Sequence, residues 1–162
     1  MNTTTDRPAV SSDLESRIVK EGYGPGAWHG ADLKAALAGV TPALAFRRPA
    51  PGRHNIAEIA LHHAWCTRSV TAQISGLQGE PFPLEGEDWF DLPDEKTLSW
   101  SKVLARVELE QNRLGAAIAD IEAGRTISLL TDVERFKMVL GITCHAVYHA
   151  GQVQLIKKLS GL

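Results

Sequence analysis

Two histidines four residues apart are the first feature of this sequence that could do chemistry. His145 and His149 lie in a segment whose apolar residues recur every three or four positions, which predicts a helix with both rings on one face, about 40° apart. Met138, Ile142 and Ile156 share that face, so the spacing directs two imidazoles into an apolar core. Since a buried polar ring needs a partner, one interpretation is a metal ion bound to both rings, and hydrogen-bonded packing histidines are the alternative.

A second helical segment offers a third ligand. Apolar residues at steps of three and four predict a helix over about 54–77, with His62 and His63 near its middle. Periodicity does not decide which of the two rings points inward. Position 146 is Ala, so the Glu of an H-E-x-x-H metalloprotease motif is missing and a protease of that class is not expected.

Two residues beside His62 are candidate helpers of a metal site. Glu58 and Cys66 lie one helical turn before and one turn after His62. Glu58 could accept a hydrogen bond from a ligand ring, although a surface carboxylate is the commoner role. Cys66 could bind the ion or act as a nucleophile, although a small buried apolar residue is commoner.

Four further residues could orient a ligand or line a pocket. Tyr148 and Gln152 flank His149 and are candidates for hydrogen bonds to it, with rim packing and a solvated amide as the alternatives. Trp28 and His29 follow a glycine-rich break and could form a pocket wall, with core packing of Trp28 as the alternative.

The elements that position these residues are all predicted to be helices. Ser12 and Glu15 form an S-x-x-E capping box that opens a short N-terminal helix over about 12–20. Glycines and Pro25 break it, and the helix is expected to resume at Trp28. Longer helices are predicted over about 54–77, 97–123 and 132–159. No alternating strand pattern competes, so the fold class is all-α and the architecture a four-helix bundle.

One connection is too long for a tight turn. Residues 80–96 contain three prolines and one glycine, the acidic cluster of 85–88 and the aromatic pair Trp89 and Phe90. The segment is predicted to be a long crossover loop, which permits two neighbouring helices to run parallel, and it could cover the mouth of a site as a lid.

Composition excludes several classes of function. The chain has 162 residues, 44% hydrophobic and 22% charged, and a formal net charge of -2, so we expect one domain over 1–162 and no nucleic-acid or membrane partner. No 18-residue apolar run and no signal-peptide pattern occurs, which favours a cytoplasmic protein. Two cysteines without a CxxC motif suggest neither a disulfide framework nor a thiolate zinc knuckle.

The C-terminal segment resembles a known family. HAVYHAGQVQLIKK, from His145 to Lys158, is similar to the H-x-x-Y-H-A-G-Q-[IV] signature of the DinB/YfiT-like superfamily. The segments 23–38 and 54–65, and the acidic-aromatic sequence of 87–89, resemble a DinB subgroup. Together these segments span most of the chain.

The resemblance implies a four-helix bundle of up-down-down-up topology and a divalent metal held by three histidines. Aligned on the family pattern, the ligands are His62, His145 and His149, and His63 stands where the family commonly has an apolar residue. Ala146 departs from the Asp that many relatives carry after the first ligand of the last helix, which puts any role of that Asp in doubt here.

Zinc and nickel are the ions expected at this site. Bound by three neutral imidazoles, either ion keeps an open coordination position for water or substrate. The resemblance implies a metal-dependent hydrolase or an S-transferase that uses a low-molecular-weight thiol, so a small molecule or a thiol is the expected partner, and a homodimer is the expected assembly. The alternative is a non-catalytic module in which the ion is structural or sensory, and a metal-free helical protein ranks last.

Overall fold

The computed structural model describes residues 13–161, and every regular element in that range is a helix. The six helices are α1 (Leu14–Gly22), α2 (Leu33–Leu37), α3 (Pro42–Ala45), α4 (Ile56–Ser75), α5 (Trp100–Glu122) and α6 (Asp132–Leu159). The all-α prediction is therefore confirmed. Over the same residues, no helix is both long enough and apolar enough to cross a membrane.

The three long helices begin and end close to their predicted positions. α6 has the predicted bounds, and its start is stabilised by a capping box between Thr131 and Glu134. α4 starts with a second capping box, between Asn55 and Glu58, and ends at Gly76, whose φ of 72° is the left-handed conformation typical of a residue that stops a helix. α5 is one to three residues shorter at each end than predicted.

The first helix is displaced from its prediction by two residues. α1 ends at Gly22, and the predicted cap Ser12 lies outside the described residues. A Cβ at Gly22 would lie 3.0 Å from the Cβ of Ala146 and 3.1 Å from the carbonyl oxygen of Thr143. Gly22 thus permits the close approach of α1 to α6 that any larger residue would disturb.

The helix does not resume at Trp28, and that prediction is wrong. Turns and bends continue as far as Gly30, because Gly26 and Gly30 adopt positive φ angles that a helix does not include. Asp32 then accepts hydrogen bonds from the first amides of α2, so the next helix starts at Leu33. Short helices α2 and α3 follow, and the structure links α2 to α6 through Lys157, which donates to the carbonyl oxygens of Ala36 and Ala38.

Contacts between helices fix their relative directions. Glu15 meets Arg135, and Gly22 meets Ala146, so α1 and α6 run parallel. The amide of Leu129, just before α6, donates to Ile74 near the end of α4, while His62 near the start of α4 meets His145 further along α6, so these two helices are antiparallel.

α4 and α5 run parallel to each other. Their N-terminal halves share one apolar cluster, which includes Ile56, Ala60, Val103 and Val107, and their C-terminal halves share another, which includes Ile74 and Ile118. The link over 76–99 must therefore return along the full length of α4, about 30 Å. In chain order, α1, α4, α5 and α6 thus point up, down, down and up, and the histidines lie where α4 faces α6.

Candidate metal centre

The antiparallel pair α4 and α6 brings three imidazoles together inside the protein. His62 is 6% exposed and His149 is 2% exposed, while His145 is half-buried. His62 lies in the second turn of α4, and the two other rings occupy successive turns of α6. All three sequence-predicted ligands therefore meet at one place in the fold.

The Nε2 atoms of these rings converge. The Nε2 of His145 lies 3.0 Å from the Nε2 of His62 and 3.0 Å from the Nε2 of His149. Two nitrogens bound to one tetrahedral ion at 2.0–2.1 Å lie about 3.3 Å apart, so the observed spacing needs only a few tenths of an ångström of adjustment. The spacing of the His145 Nε2 from each of the other two rings fits a shared divalent metal ion.

The opposite nitrogens of two rings are occupied by acceptors. The Nδ1 of His62 lies 2.9 Å from the carbonyl oxygen of Asp88 and 3.0 Å from its Oδ1. The Nδ1 of His149 lies 2.6 Å from the Oε1 of Gln152. A ring that donates its Nδ1–H carries its free lone pair on Nε2, so these contacts select the tautomer that binds a metal.

His145 is backed by a third partner, the fully buried His63. The two Nδ1 atoms lie 3.0 Å apart. The Nε2 of His63 lies 3.2 Å from the hydroxyl oxygen of Thr67 and 2.7 Å from the side-chain amide of Gln111. His62 and His63 therefore contact opposite sides of the His145 ring. His62 faces the cluster of Nε2 atoms, and His63 supports His145 from the other side.

Burial keeps His145, His149 and His63 neutral at pH 7. Desolvation, followed by the neighbouring imidazoles His149 and His62, lowers the pKa of His145 to about 4. The pKa of His149 is lowered, again chiefly by burial, and that of His63 is held well below its ordinary value by full burial and the adjacent rings. Neutral imidazole is the form that binds metal, so at pH 7 no proton has to leave these rings first.

Cys66 lies at the edge of the cluster. Its Sγ is 3.9 Å from each ring nitrogen of His62, and Sγ and one nitrogen each of His62 and His145 lie within 4.8 Å of one another. Burial, with a smaller contribution from the charge of Asp88, raises the pKa of the thiol to about 11. The group His62, Cys66 and His145 could hold a divalent metal ion.

The predicted lid segment covers His62. Trp89 stacks on His62 with ring centroids 3.9 Å apart and on His54 at 3.8 Å, so the indole lies between two imidazoles. Asp88 has a φ of 66°, a conformation uncommon outside glycine, which Asp tolerates better than most residues. That backbone turn allows Asp88 to contact His62 through both its carbonyl and its carboxylate.

Glu58 is a buried residue, so the expectation of a surface carboxylate is wrong. It is 1% exposed, and it binds Arg48, the Nδ1 of His54 and the amide of Leu92 rather than a ligand ring. Burial raises its pKa, but these hydrogen bonds and the Arg48 charge outweigh burial and lower the pKa overall. Glu58 thus holds the segment that carries Trp89 and the ring of His54, one layer behind His62.

Trp28 and His29 do not contribute to this site; His29 lines a separate surface pocket with Val147, Gly151 and Lys158 of α6. Trp28 is 93% exposed, and its amide donates to Glu21. His29 is exposed and its ring contacts the carbonyl oxygen of Glu21. Because the turns and bends persist to Gly30, both residues lie on the outer surface beside the end of α1.

A pocket of about 620 Å³ opens beside the cluster. Its polar lining includes His149, Gln152, Tyr148 and Arg53, and the Nε2 of Gln152 donates to the hydroxyl of Tyr148 at 3.1 Å. The rest of the lining is largely apolar, from Ile59, Trp89, Leu155, Ile156 and Leu159, together with the loop over 49–54. The volume suits a small organic molecule next to a ligand histidine.

Sequence patterns do not reveal the residues that support the ligand rings. Asp88 belongs to the acidic-aromatic loop, and its contact with His62 joins residues 26 positions apart. Gln111 was missed, although it interrupts the apolar stripe of α5 between Val107 and Leu114, and an amide at such a position is a signal of a buried polar partner.

One of three comparisons with known proteins finds a match, and it agrees with the all-helical fold. No curated protein and no solved structure matches the chain. The family model of the DinB superfamily matches residues 27–153, which include all three converging histidines, Cys66, Asp88 and the whole of α4 and α5. On the strength of that match over most of its length, the chain belongs to the DinB superfamily.

Proposed function

We propose that this protein binds a divalent metal ion, zinc or nickel, through His62, His145 and His149. The observation that carries the proposal is that each ring has its Nδ1 engaged by a partner while the Nε2 atoms converge at spacings of 3.0 Å. Hydrogen-bonded packing histidines would account for one such contact. Two of these contacts share the Nε2 of His145, and one cation bound to all three Nε2 atoms would account for both.

We further propose that the protein is a metal-dependent enzyme, a hydrolase or an S-transferase that uses a low-molecular-weight thiol. A divalent ion at this site would supply a Lewis acid that lowers the pKa of a bound water or thiol. The pocket of about 620 Å³ beside His149 supports this proposal, because it leaves room for a small molecule next to the ion. Gln152 holds the His149 ring, Asp88 holds His62, and Trp89 excludes water from the outer face of His62.

The metal content of protein purified without a histidine tag tests the ligand set. Wild type is expected to carry close to one equivalent of metal, and His62→Ala and His149→Ala are expected to lose it. His29→Ala is the matched control, since His29 is an exposed histidine outside the cluster, and it is expected to keep the metal. Near-stoichiometric metal in both ligand variants would overturn the proposal.

Reaction class is tested separately with the metal-loaded protein. Conjugation of small thiols to electrophilic acceptors and hydrolysis of ester and amide substrates are assayed side by side, with the His149→Ala protein as the background. Activity in one assay that is lost in His149→Ala assigns the class. If the loaded protein is inactive in both, the enzyme proposal fails, whatever the metal content.

A second candidate is a non-catalytic module in which the ion is structural or sensory. The position of Cys66 favours it, since a thiolate at 3.9 Å from His62 could become a fourth ligand and close the site. Substitution with cobalt distinguishes the two candidates, because a cobalt–thiolate bond gives a near-ultraviolet charge-transfer band. A band that disappears in Cys66→Ser supports the closed site, and a spectrum unchanged by Cys66→Ser supports the open one.

A further inference from the structure

α6 carries a second apolar stripe, on the face that points away from the core. Its exposed residues follow steps of three and four along the whole helix, and they are Val133, Phe136, Leu140, Cys144, Tyr148, Gly151, Leu155 and Leu159. The exposed fraction is 65% for Val133, 57% for Leu155 and 73% for Leu159. From first to last, the stripe spans about 39 Å, which is far longer than scattered single exposed residues account for.

Two glycines on this face are not required by close packing against the rest of residues 13–161. Gly141 and Gly151 are exposed, lie inside the helix, and have no described atom within 4 Å of where a Cβ would stand. A helix-interior glycine costs about 0.5–1 kcal/mol relative to alanine. Small residues on a helix face are suited to the close approach of another helix, so the glycines point to a helix that lies outside the chain.

The ends of α6 carry opposite charges. Asp132 and Glu134 lie in its first turn, and Lys157 and Lys158 in its last. Asp132 pairs with Arg135 of its own helix but its side chain is 93% exposed, and Lys158 is exposed. An antiparallel copy of the same helix would place the acidic turn of each copy beside the basic turn of the other and would also oppose the helix dipoles.

We propose that the stripe is a homodimer interface, in which α6 packs against α6 of a second copy in antiparallel orientation. Pairing Asp132 with Lys158 puts the two-fold axis at residue 145. Leu140 of one copy then lies opposite residues 150 and 151 of the other, beside Gly151, and Tyr148 lies opposite residue 142, beside Gly141. Large side chains thus meet glycines on both sides of the axis, which is the self-complementarity that a two-fold interface requires.

The α6 stripe alone is smaller than the interface of a stable dimer, so neighbouring residues must also be buried. A strip of about 39 Å by 10 Å covers about 400 Å², whereas a stable dimer buries about 800 Å² per partner. The loop over 49–54 lies across the pocket from Tyr148, Leu155 and Leu159, and the second copy would also cover this loop and narrow the mouth of the pocket. The proposal stands independently of the metal and of any activity.

Crosslinking through the exposed Cys144 tests the antiparallel arrangement of the two α6 helices. About a two-fold axis at residue 145, the two Cys144 residues are offset by about 3 Å along helices whose axes lie about 8–10 Å apart. Cys144 is exposed, so a short bismaleimide is expected to convert the wild-type protein to a covalent dimer. Cys144→Ser is expected to abolish this product. Absence of the product in wild-type protein that sediments as a dimer would overturn the antiparallel register.

Dissociation constants from analytical ultracentrifugation test the contacts. Leu140→Lys is expected to weaken the dimer about 30-fold or more, as for a central interface side chain. Leu77→Lys, at an exposed position outside α6, is its control.

Gly151→Ala is expected to weaken the dimer about 10-fold while raising the thermal midpoint of the monomer. Gly115→Ala in α5, where a Cβ also has open space around it, is expected to raise the thermal midpoint alone. Lys158→Glu should weaken association and Asp132→Lys should restore it in the double variant.

Three results would each overturn the homodimer interface on α6. A wild-type protein that is monomeric at every concentration overturns the proposal. A dimer that Leu140→Lys and Gly151→Ala leave intact places the interface elsewhere and overturns it equally. Residues 1–12 contain few apolar side chains, and if deleting them creates a dimer where none existed, then that segment and not a second copy covers the stripe.

Discussion

The Nδ1 of His63 lies 3.0 Å from the Nδ1 of His145, so consecutive histidines of α4 have different roles. His62 contacts His145 through Nε2, on the side where the three rings converge. His63 contacts the same ring from behind and is in turn contacted by Gln111. The orientation of His145 therefore depends on a buried chain of polar groups that begins on α5.

We expect His63→Leu to weaken metal binding by about 10–100-fold, the range found when a partner behind a ligand is removed. The variant also leaves the buried amide of Gln111 without its partner, which should cost about 1–3 kcal/mol of stability. The double variant His63→Leu with Gln111→Leu should recover stability but not affinity. Competition with a chromophoric chelator and urea unfolding of the metal-free protein measure the two effects, and unchanged affinity in His63→Leu would contradict the assigned role.

Asp88→Asn is expected to reduce metal affinity by about 10-fold, the low end of the 10–100-fold loss found when a partner behind a metal ligand is removed. The amide keeps a group near His62 and tolerates the positive φ of position 88, and the backbone carbonyl still accepts from the ring, but the negative charge that strengthens the ligand is lost. Glu87→Gln, which removes the charge of the exposed neighbouring residue, is the control. Equal affinities for wild type and Asp88→Asn would show that the carbonyl alone orients His62.

Local pattern was sufficient to predict the long helices and the pair on α6. Apolar periodicity predicts both ends of α6 and comes within a few residues for α4 and α5, because that signal acts over one or two turns. The restart at Trp28 failed, since periodicity alone does not reveal that Gly26 and Gly30 adopt positive φ and that Asp32 offers a better cap.

The choice between His62 and His63 could not be made from periodicity for a physical reason. α4 is packed on nearly all sides, so both rings are buried, at 6% and 0% exposure, and neither belongs to a solvent face. The family resemblance assigned His62 as the ligand. The partners Asp88 and Gln111 come from a loop and another helix, 26 and 48 residues away, and only the assembled fold brings such contacts together.

The stability of the metal-free protein should fall as the pH is lowered from 7 to 5. The pKa of His145 is about 4 in the folded protein and about 6.5 in an unfolded chain. Between these values the unfolded chain binds a proton that the native ring does not, so unfolding becomes more favourable as pH falls. The lowered pKa values of His149 and His63 act with the same sign. Urea unfolding at pH 7, 6 and 5 measures the slope, and His145→Asn should flatten it; an equally steep slope in that variant would contradict the assignment.

Arg48→Ala should destabilise the protein by about 1–3 kcal/mol. It leaves the carboxylate of Glu58, which is 1% exposed, without its main charge partner, and the effect is smaller than for a fully buried pair because Arg48 is 35% exposed. Asp91→Ala removes the other, exposed partner of Arg48 and should change stability by less than about 0.5 kcal/mol. Adding Glu58→Gln to Arg48→Ala should restore part of the loss, since no buried charge remains; a double variant less stable than Arg48→Ala would argue against this account.

Proton release on metal binding should report whether Cys66 is a ligand. Burial raises the pKa of its thiol to about 11, so at pH 7 the sulfur is protonated and would release close to one proton if it bound the ion. The rings of His145 and His149, whose pKa values are lowered, are neutral and release none. For the open three-histidine site we expect the same small proton count in wild type and Cys66→Ser, measured by calorimetry in buffers of different ionisation enthalpy. One proton per metal in wild type that is lost in Cys66→Ser would establish the thiolate as a fourth ligand, close the site and leave the non-catalytic module as the better account.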